Sequence, residues 1–243
     1  MNNAITIKNL KKIYRGKKDK EVLRDVNLVI PKGQFFGLLG PNGAGKTTTI
    51  SCIIGVSSPT EGNIFVFGND VVKDYRKARA CVGVSPQEFT IDTFQTVDEI
   101  LDYQAGFFGI TGTRMNGRRE EMLKQFDLID HRDKKFQFLS GGLKRRVTLA
   151  KAMMHNPDIL ILDEPTAGVD VETRRALWKF LKELHKNGKT IILTSHYLEE
   201  IEELCERVAI IKDGGIITDD TVANLIQGGK LEKVYLEAVG HID

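Results

Sequence analysis

An eight-residue, glycine-rich segment constrains this chain more than any other part of it. Gly40 to Thr47 reads GPNGAGKT, which has the spacing glycine, four free positions, glycine, lysine and threonine. Such glycines let backbone N–H groups curve around an anion, the lysine reaches β- and γ-phosphates, and the threonine hydroxyl can bind Mg²⁺. An accidental match in a glycine-rich turn arises in roughly one chain in a hundred. The segment therefore predicts a phosphate-binding loop.

The sequence on both sides of this loop fits a strand and a helix. Gln34–Leu39 is a short apolar run, and Thr48–Gly55 has helical spacing of apolar residues. Residues 4–8 and 22–30 alternate apolar and polar side chains, and residues 63–67 form another short apolar run. These three segments predict an antiparallel layer beside the strand that carries the loop.

The bulk properties favour one α/β domain. The 243 residues are 41% hydrophobic, which is enough for a full core. Thirty-five basic and thirty-three acidic residues leave a formal charge of +2, so we expect no nucleic-acid partner. Three scattered cysteines fit a reducing compartment. We expect no signal peptide or transmembrane segment, because no apolar run is long enough, and any membrane role must then come from a partner.

Three further aliphatic runs predict buried strands that end in polar residues. They are 81–84 followed by Gln87, 159–162 followed by Asp163 and Glu164, and 189–194 followed by Ser195 and His196. Open parallel sheets bind ligands beyond the carboxyl ends of their strands, where the phosphate loop also begins. These polar groups are therefore candidates for one ligand site.

Asp163 and Glu164 are hard to explain as structural residues, because carboxylates are rarely buried without a partner. In phosphate-loop enzymes the strand-end aspartate holds Mg²⁺, directly or through water. We therefore assign metal binding to Asp163 and water activation to Glu164. A solvated turn is the alternative, with a prior of roughly one in ten for the motif alone.

Residues from Thr96 to about Lys135 have helical spacing interrupted by glycines, which predicts an inserted helical subdomain. Leu139–Gly142 then opens a helix that runs to Met154, with Val147, Leu149–Ala150 and Met153–Met154 as its apolar stripe. Further on, 207–212 and 215–219 predict a hairpin, followed by a short helix and a strand-like segment at 233–239.

Taken together, the motifs resemble those of the nucleotide-binding subunit of ATP-binding cassette (ABC) transporters, across essentially all 243 residues. The resemblance equates GPNGAGKT with the Walker A loop, Gln87 with the Q-loop glutamine, LSGG at 139–142 with the family signature, ILILDEP at 159–165 with Walker B, AGVD at 167–170 with the D-loop, and His196 with the switch histidine. Tyr14 falls where the family places an aromatic residue that stacks on adenine. As isolated finds, Tyr14, Gln87 and His196 would more often be structural, but their order after a phosphate loop favours function.

The resemblance implies a phosphate-loop NTPase (RecA-like) core with a mostly parallel sheet, an N-terminal antiparallel β layer and an inserted helical subdomain. It places the core in 1–88 and 157–219, the helical subdomain with the signature in 96–156, and a C-terminal extension in 220–243. The implied ligands are ATP and Mg²⁺. ATP would contact Tyr14, Gly40, Pro41, Asn42, Gly43, Ala44, Gly45, Lys46, Thr47, Thr48, Ser140, Gly141, Gly142 and Asp170, and Mg²⁺ would contact Thr47, Gln87 and Asp163.

The sequence departs from the family pattern at two positions. Leu143 follows the signature where glutamine is usual, and Val169 replaces a common leucine in the D-loop. Leucine cannot hydrogen-bond a ribose, so this contact is not expected here. Ser140 to Gly142 still form a good anion site at a helix N-terminus. The motifs look most like the branch that exports drugs, polysaccharides and lipids through a separately encoded permease.

In such proteins two copies pair head to tail, so that the phosphate loop of one and the signature of the other enclose each ATP. The resemblance then implies that Glu164 activates water, Lys46 and His196 stabilise charge on the γ-phosphate, and Gln87 links the metal site to the helical subdomain. A groove near Phe89–Phe94 would receive the permease, on the cytoplasmic face of the membrane.

Three other functions are alternatives. An importer-type ABC ATPase is closest, and a soluble ABC ATPase of repair or translation is second, although long coiled coils or a second cassette are missing here. A nucleotide switch or GTPase would carry an Asn-Lys-x-Asp motif, which this sequence lacks.

Overall fold

The computed structural model describes residues 3–240, in which ten strands form two sheets. The strands are β1 (Asn3–Tyr14), β2 (Lys20–Pro31), β3 (Phe35–Leu39), β4 (Glu61–Val66), β5 (Asn69–Asp70), β6 (Val82–Ser85), β7 (Ile159–Asp163), β8 (Thr190–Ser195), β9 (Arg207–Lys212) and β10 (Gly215–Thr221). The helices are α1 (Lys46–Ile53), α2 (Tyr75–Ala80), α3 (Val97–Phe107), α4 (Gly112–Gln125), α5 (Gly141–Met153), α6 (Val171–Lys186), α7 (Leu198–Leu204), α8 (Val222–Leu225) and α9 (Leu231–Val239). Short 3-10 turns complete this part of the chain.

The central sheet has the strand order β10-β9-β3-β8-β7-β6, and all its neighbours are parallel except β9 and β10. Strands β3, β7 and β8 are buried along their whole length. Alternate residues of β7 enter different cores: Leu160 and Leu162 pack with helices α3, α5 and α6, whereas Ile159 and Ile161 pack towards the second sheet and α1. Burial on both faces explains why these strands are continuous aliphatic runs.

The second sheet is antiparallel, with the order β2-β1-β4-β5. Its inner residues, among them Ile5, Leu23 and Ile64, share a core with α1 and the near face of the central sheet. Strands β1 and β2 are twelve residues each, longer than the segments predicted from alternation. Tyr14 thereby becomes the last residue of β1, at the margin of the phosphate loop's cavity.

Helices α3 and α4 form the start of the helical segment, followed by two 3-10 turns and α5. A capping box begins α3, in which Thr96 accepts a hydrogen bond from the Glu99 N–H and Glu99 accepts one from the Thr96 N–H. Arg132 bridges two carboxylates of this segment, at 2.7 Å from Asp98 and 2.8 Å from Glu120. The α/β fold class predicted from the sequence is thus confirmed, with its antiparallel layer and inserted helices.

One predicted element is wrong. Residues 233–239 were expected to be strand-like because of their valines, tyrosine and leucine, but they belong to helix α9. Leu231 and Val239 are buried on one face of that helix, and Lys212 donates to the Val239 carbonyl at 3.0 Å. Docking on the core therefore outweighs the β-propensity of this stretch. The final residues of the expected C-terminal extension, 241–243, lie outside the described part of the chain, as do residues 1–2.

Candidate nucleotide-binding site

A cavity of about 780 Å³ opens at the carboxyl ends of the central strands, where the phosphate loop begins. It brings together most of the predicted site residues from five separate parts of the sequence. Its lining consists of Tyr14, Lys20, Val22, Asn42, Gly43, Gly45, Lys46, Thr47, Thr48, Gln87, Glu164 and His196. The position agrees with the rule that open parallel sheets bind ligands at this edge.

The phosphate loop owes its curvature to glycine. Gly45 has φ +114° and is the N-cap of α1, and a Cβ there would lie 2.6 Å from Leu23 Cδ2. No side chain caps the first turn of α1, so its N–H groups remain directed at the cavity. An uncapped helix N-terminus beside a glycine loop is a suitable site for a phosphate anion.

Lys46 lies inside the curve of the loop. Its ammonium group donates to the carbonyl oxygens of Gly40 and Pro41 at 2.6 Å and 3.1 Å, and the side chain is buried. Burial lowers the pKa of Lys46, whereas the negative charges of Glu164 and Asp163 raise it. The lysine therefore lies close enough to both strand-end carboxylates to feel their charge.

The two carboxylates at the end of β7 have different surroundings. Asp163 is buried and accepts a hydrogen bond from the Thr194 hydroxyl of the adjacent strand β8. Glu164 has the left-handed φ of +48°, which is unusual for a residue with a side chain. Its N–H donates to the carbonyl and hydroxyl oxygens of Thr194, both at 3.1 Å. These hydrogen bonds with Thr194 of β8 thus fix the backbone conformation at the end of β7.

The Glu164 carboxylate contacts two other predicted site residues. Gln87 Nε2 donates to Glu164 Oε2 at 2.9 Å, and His196 Nδ1 lies 3.3 Å from the same oxygen. The Glu164 side chain is only 12% exposed, whereas His196 is 45% exposed at the rim. Three residues predicted from separate motifs are therefore in direct contact.

The oxygen donors near the loop fit a hard divalent cation. The Thr47 hydroxyl, the Gln87 amide and the Asp163 carboxylate are the groups that Mg²⁺ accepts together with phosphate oxygens. Thr47 and Gln87 line the same cavity, and the Asp163 charge acts on Lys46 within it. These residues are thus chemically suited to holding Mg²⁺ beside a nucleotide.

The signature and D-loop residues lie elsewhere in the same chain, outside that cavity. Ser140 caps α5 by accepting from the Leu143 N–H, and Asp170 caps α6 by accepting from Thr173. Both residues are exposed, and those hydrogen bonds lower the pKa of Asp170. A Cβ on Gly142 would lie 3.2 Å from the Thr173 side chain, so the two loops adjoin each other. They form a second surface rather than part of the first cavity.

Sequence reasoning missed two buried ionisable groups next to the site. Glu200 is fully buried and accepts hydrogen bonds from Ser195 (2.7 Å), Thr166 (3.1 Å) and Trp178 (3.1 Å), and burial raises its pKa. Arg145, on helix α5, is also buried. A signal did exist for Arg145, since it lies one helical turn before buried Leu149.

Comparison with known proteins agrees with this geometry. The family model described as ABC transporter matches residues 23–167. The chain is 41% identical to the linearmycin resistance ATP-binding protein of Bacillus subtilis (strain 168) over 217 residues, which is 89% of this chain and 69% of that protein. It is 40% identical to the Nod factor export ATP-binding protein I of Paraburkholderia xenovorans (strain LB400) over 223 residues, or 92% of this chain and 72% of that one.

Solved structures give the same result. An ATP-binding subunit of an ABC transporter superposes with a TM-score of 0.86 at 28% identity, covering 97% of this chain and 99% of the other. A dimeric ATP-binding cassette in a post-hydrolysis state, bound to ADP and Pi, has a TM-score of 0.81 at 28% identity, with 90% and 98% covered. With the family model matching more than half of its length, this chain belongs to the ABC transporter family as an ATP-binding, ATP-hydrolysing subunit.

Proposed function

We propose that Glu164 is the group that activates water for ATP hydrolysis in this subunit. The observation that carries the proposal is the contact of one carboxylate oxygen with both Gln87 and His196, at the edge of the phosphate-loop cavity. A carboxylate held by two orienting side chains can accept a proton from a water placed in line with a γ-phosphate. The position of Glu164 thus matches the geometry that this step requires.

The other predicted residues in and around the cavity have complementary roles in the proposal. Gly40 to Thr48 hold the phosphates through backbone N–H groups, Lys46 and His196 stabilise negative charge on the γ-phosphate, and Tyr14 stacks on the adenine. Thr47, Gln87 and Asp163 hold Mg²⁺, which neutralises phosphate charge when bound. The half-exposed ring of Tyr14 at the cavity margin supports its role.

The second surface, with Ser140, Gly141, Gly142 and Asp170, acts on the nucleotide of another copy. These residues lie outside the cavity of their own chain, yet Ser140 begins a thirteen-residue helix whose N-terminus favours an anion. A head-to-tail dimer of two copies brings each such surface over the other copy's cavity. ATP binding then favours the closed dimer, and hydrolysis removes that bias.

The dimer powers export through a separate membrane permease, at the cytoplasmic face of the membrane. The described residues contain no helix that is long and apolar enough to cross a bilayer. A groove between the central sheet and the helical segment includes exposed Tyr103 and Phe107, next to the 89–94 stretch with exposed Phe89 and Phe94. We assign the permease to this groove, and the names of the two relatives, which mention resistance and export, favour export over import.

Steady-state ATPase assays on the full chain test the role of Glu164. The variant Glu164→Gln keeps the hydrogen-bonding shape but cannot accept the proton, so we expect turnover to fall by roughly 10²–10⁴-fold. Binding of a fluorescent ATP analogue should stay close to that of the wild type. The matched control is Glu237→Gln on the exposed face of α9, which should leave turnover unchanged. Near wild-type turnover of Glu164→Gln would refute the assignment.

A further inference from the structure

Arg145 is a buried cation with an unusual set of partners. Its guanidinium donates to three backbone carbonyl oxygens: Nε to Pro165 at 2.6 Å, Nη2 to Glu164 at 2.6 Å and Nη1 to Pro86 at 2.9 Å. The side chain is 4% exposed. A guanidinium donates from three separate nitrogen atoms in a fixed planar fork and so reaches three carbonyls of two segments at once, whereas an ammonium group donates from a single nitrogen atom. The arginine therefore joins α5 to the segments after β6 and β7.

These partners are the backbones of the candidate catalytic residues. Pro86 directly precedes Gln87, and Glu164 and Pro165 follow β7. Among residues 3–240, no carboxylate accepts a hydrogen bond from Arg145. Burial lowers the pKa of its guanidinium, although the negative charges of Glu200 and Asp163 act in the opposite direction. A charged group is costly to bury, so such an arrangement indicates a role for this guanidinium that an apolar residue could not fill.

The backbone of Glu164 is hydrogen-bonded at both its N–H group and its carbonyl oxygen. Its left-handed φ of +48° is a strained conformation for a non-glycine residue and persists only where neighbours determine it. Thr194 holds the N–H of this residue, and Arg145 holds its carbonyl oxygen. Loss of either anchor allows the peptide to relax and the carboxylate to turn away from its contacts with Gln87 and His196.

We propose that Arg145 is a positioning residue that fixes the Glu164 carboxylate and the Gln87 segment in their reactive geometry. The inference rests on the proposed role of Glu164. Helix α5 begins immediately after Ser140, so the helix proposed to face the nucleotide of a second copy also holds the backbone carbonyl of Glu164 in its own chain. Arg145 thus connects the phosphate-loop cavity with the second surface, which contains Ser140, in the same subunit.

The test is Arg145→Lys in the full chain, which keeps the positive charge but loses the fork. We expect kcat to fall at least tenfold, while KM and the Kd for a fluorescent ATP analogue stay within twofold of wild type, because the phosphate loop is untouched. Arg146→Lys is the matched control: its neighbouring guanidinium pairs with Asp127 at 3.2 Å near the surface, and we expect no change.

Other outcomes overturn the inference. A folded Arg145→Lys protein with kcat within twofold of wild type would do so, as would kcat and ATP binding falling together with thermal stability. Arg145→Gln, which can still donate to one carbonyl, provides a second variant. If neither variant folds, Arg145 is a structural residue and the positioning role is rejected. Glu164→Gln is assayed in parallel. If Glu164→Gln remains active, the proposed function itself is rejected. If Glu164→Gln is inactive but Arg145→Lys has wild-type kcat, only the positioning role of Arg145 is rejected.

Discussion

At the scale of single residues, ionisable groups held away from water surround the candidate catalytic centre. Lys46 and Arg145 are cations whose pKa is lowered by burial, and Glu200 is a carboxyl whose pKa is raised by it. Each is satisfied by hydrogen bonds rather than by solvent. Because buried polar groups are costly unless paired, these residues specify one arrangement of the loops that they contact.

His155 gives a pH-dependent prediction at this scale. Its ring stacks on Phe108 at 3.7 Å, Nε2 donates to the Val82 carbonyl, and burial lowers its pKa to about 4. The unfolded chain, with the ordinary value of 6.5, binds this proton more readily. Stability from neutral His155 is therefore complete above pH 6.5 and is lost as pH falls towards 4. At pH 5 the loss is about 2 kcal/mol.

Urea unfolding at pH 7 and pH 5 measures this effect. The variant His155→Phe keeps an aromatic ring against Phe108 but cannot titrate, so its free energy of unfolding should change less between the two pH values than that of the wild type. Equal pH dependence in the two proteins would contradict the prediction.

At the scale of secondary structure, the strands of the central parallel sheet were predictable from the sequence. Aliphatic runs such as 159–162 are unambiguous because both faces of a central strand are buried. The segment 233–239 was mistaken for a strand because its apolar spacing fits either period, and its docking on α7 and β9 decided the outcome. Helix α2 and the two-residue strand β5 were not predicted, since such short elements leave little periodicity to detect.

Site residues could be predicted where their chemical signal lies within one short segment of the sequence. The loop at 40–47 and the polar groups after β7 and β8 follow from local spacing, because one short segment holds each chemical signal. Except for Ser195, the partners of Arg145 and Glu200 lie at least 19 residues away in sequence, so no local pattern contains them. Their role became visible only once the strands and helices were placed together.

Glu200 carries a prediction about how elements are joined. Its carboxylate accepts from Ser195 at the end of β8, Thr166 after β7 and Trp178 on α6. Glu200→Ala leaves three donors without an acceptor, and each costs roughly 1–3 kcal/mol when buried. We expect the free energy of unfolding to fall by at least about 3 kcal/mol. Trp178 is the only tryptophan, so its fluorescence reports the change directly.

The control for this prediction is Glu199→Ala, which removes the adjacent carboxylate from the exposed side of α7. A surface change of this kind alters stability by no more than about 0.5 kcal/mol. If the two alanine variants unfold at the same urea concentration, Glu200 does not join these elements.

At the scale of the whole molecule, the proposed nucleotide site is divided between two surfaces. The cavity with Lys46 and Glu164 is one, and the exposed surface with Ser140 and Asp170 is the other. A symmetric dimer buries such complementary surfaces in pairs, so that two equivalent composite sites form at one interface. The division predicts that neither surface alone supports turnover.

Mixing two inactive variants tests this division. Lys46→Ala removes the cation from the cavity, and Ser140→Arg blocks the second surface while leaving ATP binding to the monomer. Each variant alone should be inactive in an ATPase assay. In a mixed dimer, the intact cavity of the Ser140→Arg chain meets the intact Ser140 surface of the Lys46→Ala chain. Random pairing then restores at most roughly a quarter of the wild-type sites.

The control mixture pairs Ser140→Arg with a chain that carries both substitutions. Every interface in that mixture lacks an intact Ser140 surface, so the head-to-tail arrangement requires it to stay inactive although one intact cavity per mixed dimer is present. Activity in the first mixture and none in the control can arise only if one subunit completes the site of the other. If Ser140→Arg alone turns over ATP as fast as the wild type, each chain contains a complete site, and the head-to-tail model is rejected.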